Sequence, residues 1–142
     1  MSGSLQGIEP LAARLMELAT RSRRTREPVA KAVDIGIASI QKNFDVGGRP
    51  KWRGLAKSTL RTKRGGSILV GPKARLRNSF RPKATNSGGE AFSNVIYGPR
   101  QNFGYPGGPG RGHSFTPART FVMWQDEDIR DVGEVFARHL WS

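Results

Sequence analysis

The densest set of proton-transfer groups in the chain lies in QDEDIRD, residues 125–131. Two carboxylates with separated pKa values could work as general acid and base. These acids, however, fall at the start of a predicted helix, where negative side chains favour the dipole and accept free N–H groups. His113 and His139 are the only imidazoles, and neither has a second His or a carboxylate at helical metal-ligand spacing. The chain holds no cysteine, so thiolate catalysis, disulfides and Cys-based zinc sites are excluded. GPKA at 71–74 places Pro72 and Ala74 wrongly for a phosphate loop, which needs Gly-Lys-Ser/Thr leading into a helix. GYPGGPG at 104–110 is too rich in proline for a dinucleotide cradle, because proline removes the N–H groups that would hold phosphate. Ser58, Ser79 and His113 give no sign of a triad. The chain therefore reads as non-enzymatic, with no cofactor and no metal site.

The charge pattern says more. The formal net charge is +13, and no Asp or Glu occurs from Val46 to Gly89. Twelve cations occupy that stretch: Arg49, Lys51, Arg53, Lys57, Arg61, Lys63, Arg64, Lys73, Arg75, Arg77, Arg81 and Lys83. The acids gather late, at Asp126, Glu127, Asp128, Asp131 and Glu134. Such asymmetry implies a polyanionic partner, or head-to-tail self-association of a basic face on an acidic one. Apolar residues interleave with the cations, including Trp52, Leu55, Leu60, Leu76 and Phe80, so the segment can be anchored while its charges stay outside. Phosphate contact is one use of those charges. No helix-turn-helix, zinc-finger or RNA-binding signature accompanies them, which argues against sequence-specific base reading.

The elements that must position these residues follow from periodicity. Ile8, Leu11, Leu15 and Leu18 predict an amphipathic helix over 8–22. Val29, Val33, Ile37, Ile40 and Phe44 predict a second over 27–44, with Thr25 as N-cap and Gly47-Gly48 as terminator. Gly36, inside it, costs about 1 kcal/mol against Ala, which implies close packing on another element. LAKSTLRTKR at 55–64 suits a short basic helix. SILV at 67–70 fits strand or helix equally well. Residues 76–82 and 90–98 read as strands joined through NSGG into a hairpin, and TFVMW at 120–124 as another strand. Residues 99–117 are dense in Gly and Pro and read as a long flexible arm or loop, with Phe103, Tyr105 and Phe115 available to bury on a partner and to order it on assembly. A final helix starts at Asp126 or Asp128 and buries Ile129, Val132, Phe136 and Leu140. Together these predict one domain over 1–142 with an α+β fold: two N-terminal helices and a C-terminal helix on a small, mostly antiparallel sheet. No run approaches the roughly 20 apolar residues of a membrane span, and the first residues lack the pattern of a secretory signal. A cytoplasmic site of synthesis is expected.

The order of landmarks then becomes recognisable. A helix ends in F-x-x-GG-R-P-x-W, at Phe44 through Trp52. Leu55 with Ser58-Thr59-Leu60 follows, then Leu76-Arg77-Asn78-Ser79, then Pro117-Ala118-Arg119 with Phe121, and an acidic-start helix closes the chain. Over nearly its whole length this resembles the virion morphogenesis, or tail completion, family of temperate tailed phages, including the phage Mu type. The chain departs from the family's pattern at Gly54, at Pro72-Lys73-Ala74-Arg75 and at Gln101-Asn102 before Phe103-Gly104.

The resemblance implies a structural protein of the virion. It would finish the head-proximal end of a tail so that the tail can join a DNA-filled head. Similar proteins form rings, commonly hexamers, so the implied partners are further copies of the chain, the tail tube and head–tail connector proteins, with no membrane. Candidate assembly residues are Arg49, Pro50, Trp52, Leu55, Phe103, Tyr105, Arg119 and Phe121. Candidate DNA-facing residues, lining a bore through which DNA passes without sequence preference, are Arg53, Lys57, Arg61, Lys63 and Arg64. In a closed ring the acidic C-terminal helix would meet a basic neighbour. The runner-up reading is a non-specific nucleic-acid-binding protein.

Overall fold

A helix carrying Val29, Val33, Ile37, Ile40 and Phe44 puts all five on one face. The computed structural model, which describes residues 8–62, 68–70, 73–110 and 114–141, contains that helix as α2, Arg26–Val46. Ile40 and Phe44 are buried, and Ile37 packs against their cluster. Gly47 ends α2 at φ 79°, its N–H on the Asn43 carbonyl, in the left-handed region where glycine carries no Cβ strain. Gly36 has the close neighbour its position implied: a Cβ there would lie 3.2 Å from the Trp124 ring. Thr25 stands at the N-terminal boundary but does not cap with its side chain. Its hydroxyl donates to the Asn86 carbonyl at 2.5 Å, and Asn86 Oδ1 accepts from the Arg26 N–H at 3.0 Å. The turn of the hairpin thus caps α2 from outside.

Helix α1, Ile8–Arg23, and helix α5, Asp126–Trp141, have the expected bounds to within a residue or two. Helix α5 packs along α2, and α1 reaches α5. His139 Nε2 lies 2.8 Å from the Arg21 carbonyl, and Arg14 Nη2 donates to the Trp141 carbonyl at 3.2 Å. The stripe of α5 differs from expectation at one position. Val132, Phe136 and Leu140 are half-buried, but Ile129 is 59% exposed and Asp128 is buried. The helix is phased by a polar contact of Asp128 with α2, described below, which turns Ile129 outward.

The sheet is shorter than the sequence pattern suggested. Strand β1, Arg81–Ala84, pairs antiparallel with β2, Gly89–Phe92, Arg81 opposite Phe92 and Ala84 opposite Gly89. Both strands lie against α2. Residues 76–80 form turns instead of strand: the Asn78 N–H bonds the Ala74 carbonyl at 3.0 Å and the Ser79 N–H bonds that of Leu76 at 3.2 Å. That geometry drives Leu76 and Phe80, four residues apart, into one core. Beyond β2, Ser93 Oγ accepts from the Val95 N–H at 3.2 Å and sits 2.6 Å from Ser79 Oγ. Such local hydroxyl bonds compete with a ladder and end the strand.

Two further expectations change. Residues 68–70 form neither strand nor helix but a turn, with Leu69 at φ 64°, and all three pack against the core. The segment from 99 is not structureless throughout. It opens within helix α4, Gly98–Phe103, and Tyr105 bridges Thr116 through two 2.8 Å backbone bonds. Between α2 and β1 in sequence, α3 spans Lys57–Thr62. The architecture is α+β: long helices around α2 and a two-stranded antiparallel sheet.

Candidate functional site

The residues that carry the sequence landmarks converge. Phe44 is fully buried, with Trp52 edge-on at 5.6 Å between ring centroids and Phe121 tilted at 4.9 Å. Phe80 meets Phe121 at 6.0 Å. Aromatic pairs at such spacings add about 0.5–1.5 kcal/mol each beyond the area they bury. The indole N–H of Trp52 donates to the Thr120 carbonyl at 2.9 Å, and its backbone N–H to the Gly47 carbonyl at 2.8 Å. Trp52 and Phe121 are therefore pins within their own chain, buried away from any partner.

Polar side chains replace the ladder that TFVMW lacks. Asn102 Oδ1 accepts from the N–H groups of both Phe121 and Val122 at 3.0 Å, and Asn43 Nδ2 donates to the Phe121 carbonyl at 2.8 Å. With Trp52 on the Thr120 carbonyl, three side chains answer four backbone groups of residues 120–122 in place of a neighbouring strand.

Arg49 organises the next layer. Its Nε donates to Asn43 Oδ1 at 2.7 Å, its Nη2 to the Ser39 carbonyl and hydroxyl at 3.0 and 2.7 Å, and its Nη1 to Glu127 at 2.7 Å. Ser39 Oγ donates onward to Asp128 Oδ2 at 2.5 Å, which also accepts the Gln125 N–H at 2.9 Å at the start of α5. Gln125 Nε2 closes the circuit on the Arg49 carbonyl at 2.9 Å. The two acids at the start of α5 thus act in capping and cross-bracing. Pro50, next along, is exposed.

Arg119 is held differently. It is 6% exposed, and its guanidinium donates to the carbonyls of Arg53 and Gly54, both at 3.0 Å, fixing the GGRPKWRG segment from behind. No carboxylate pairs with it among the described residues. Burial pushes its pKa down, and the nearby Arg53 cation pushes it further. Arg119 lines a cleft of about 470 Å³ together with Arg53, Leu55, Leu69 and Phe115. Arg53 sits over the Phe115 ring at 5.9 Å. The Phe115–Thr116 part of the wall is braced by Arg100, which donates to Thr116 Oγ1 at 3.0 Å and to the Ser114 carbonyl at 2.7 Å and lies 4.5 Å from the Tyr105 ring centroid.

The candidate residues thus separate into two groups. Arg49, Trp52, Arg119 and Phe121 are knitted into the core, with Leu55 and Tyr105 half-buried at its edge, while Phe103 is exposed. Arg53 and Lys57 are exposed. Arg61 lies in α3, and Lys63 and Arg64 lie outside the described residues. Sequence reasoning did not single out Ser39, Asn43 and Asn102. The spacing of Ser39 and Asn43, four apart and flanking the apolar stripe of α2, was the available signal.

No described helix is long and apolar enough to cross a membrane. Among the described residues no three His, Asp or Glu side chains gather as metal ligands. Comparison with protein-family models, with curated proteins and with solved structures gives no match.

Proposed function

We propose that this chain is a structural tail-completion protein of a tailed phage or phage-derived particle, acting as a ring at the head-proximal end of the tail. The observation that carries the reading is the convergence of the landmark residues. Phe44, Arg49, Trp52, Leu76, Arg119 and Phe121 come from three separate sequence motifs, and all six fall within or directly against one core. Residues so placed shape a scaffold, and the work falls to the surfaces that the scaffold presents. Those surfaces are basic around Arg53 and Lys57 and acidic at the exposed side of α5. Subunits that meet face to opposite face around a circle need that kind of complementarity. Cations left over would face a DNA path without reading bases.

Electron microscopy of particles from cells in which the gene is deleted tests this reading. Filled heads beside separate tails are the expected result. Normally joined particles would contradict it. The acid-free run keeps a second reading in view, a non-specific nucleic-acid-binding protein. For that reading DNA affinity should fall by orders of magnitude over a few-fold rise in salt.

A further inference from the structure

A buried guanidinium normally faces a carboxylate, because an unpaired charge in a low-dielectric site is costly. Arg119 has only two carbonyls, and its Nη1 has no hydrogen-bond partner among the described residues. No polar side-chain atom of those residues is both buried and without a partner, so Nη1 opens on the cleft it lines. Arg53, at the rim, adds a second charge, also without an acid. The rest of the wall is mixed: Leu55, Leu69 and Phe115 give it an apolar portion, beside the polar Thr59, Gln101 and Thr116. The cleft therefore suits an acid presented beside an aliphatic side chain.

The same molecule offers that combination elsewhere. At the start of α5, Glu127 is engaged by Arg49 and Lys42, and Asp128 by Ser39. Asp126 and Asp131 are exposed and make no ion pair among the described residues. Between them stands Ile129, turned to solvent although its residue type belongs in a core. Asp126 and Ile129, three apart, share one turn of helix surface. We infer that the Arg53–Arg119 cleft receives the Asp126–Ile129 turn of a second copy of this chain, the carboxylate on the arginines and the isoleucine against Phe115 and Leu55. The two surfaces share no residue, so each copy can give one and receive one. That contact is heterologous and propagates until it closes. The inference deepens the ring proposal and rests on it.

The chain has no cysteine, so introduced thiols are unambiguous reporters. Phe115→Cys and Ile129→Cys replace exposed side chains and leave the core intact. The two full-length proteins, mixed under mild oxidation at low salt, should form the mixed disulfide at least tenfold faster than either forms a like pair. Adding R53E to the Phe115→Cys protein should remove that preference, and D126K in the Ile129→Cys protein should restore it. Equal rates for mixed and like pairs, or indifference to R53E, overturn the inference. Loss of DNA binding in R53E without any preferred cross-link also overturns it, in favour of nucleic acid as the occupant. If the cross-link fails while gene deletion still leaves heads and tails apart, tail completion stands and the ring contact lies elsewhere.

Discussion

Arg49 and Arg119 both anchor the segment that carries Trp52, yet their surroundings differ. Arg49 is neutralised by Glu127 at 2.7 Å and tied to Asn43 and Ser39, so its charge is consumed within the chain. Arg119 is more deeply buried and has carbonyls alone. The difference separates scaffold from contact surface. A cation whose charge is fully answered organises the fold, and one whose charge is left over is where the contact we propose would bring an acid from a second copy.

Substitutions test the difference between the two arginines. The largest effect should come from Trp52→Ala, which empties the space between Phe44 and the chain and strips the Thr120 carbonyl of its donor. About 3–5 kcal/mol should be lost, seen as a large drop in the urea midpoint, whereas Arg53→Ala should stay within about 0.5 kcal/mol of wild type. Next is Arg49→Met, which strands Glu127, Asn43 Oδ1 and the Ser39 carbonyl. Glu127 is half exposed, so an expected loss of about 2–3 kcal/mol comes mainly from the buried Asn43 and Ser39 acceptors left without their donor. Arg119→Met gives up two hydrogen bonds but also relieves an unanswered buried charge, so its cost should be smaller, about 1 kcal/mol. Equal costs for the two arginines would erase the distinction. Asn102→Ala orphans the N–H groups of Phe121 and Val122 and should cost about 1–3 kcal/mol, with Asn102→Asp, which keeps the acceptor, costing less.

The smallest effect concerns the rim of α2. Arg77 grips Asp45 with two bonds, 2.7 and 2.9 Å, and the hydrogen bonds from its guanidinium hold the Asp45 carboxyl below the usual carboxylate range. A carboxylate whose pKa is lower in the folded state stabilises above its unfolded pKa and loses that contribution as pH falls through the folded value. The pair is solvent-exposed, so the contribution is about 0–1 kcal/mol. The difference in stability between wild type and Asp45→Asn should therefore be constant near neutral pH and shrink below about pH 4.

Much of this fold was legible because α1, α2 and α5 are amphipathic over many turns, and periodicity speaks clearly at that length. The hairpin was legible through NSGG. What misled was the assumption that β-rich residue types need a strand partner. TFVMW has strand composition, but its backbone is answered by Trp52, Asn43 and Asn102, each far away in sequence. Ile129 misled for a related reason: the pull of Asp128 toward Ser39 sets the phase of α5 over its apolar pattern. At the site, sequence picked out Arg49, Trp52, Arg119 and Phe121 but could not distinguish outward from inward. Trp52 and Phe121 turned out to be core, and Arg53 to be rim. Side-chain direction depends on long-range hydrogen bonds that local spacing does not encode.

In the proposed function the scaffold joins heads to tails through its charged surfaces. The direct measurement is to add purified protein to separated heads and tails from deletion particles and to count joined particles by electron microscopy. Wild-type protein should restore joining, and R53E/K57E, folded as well as wild type by circular dichroism, should fail. Joining restored equally by both, or by neither, would contradict the account.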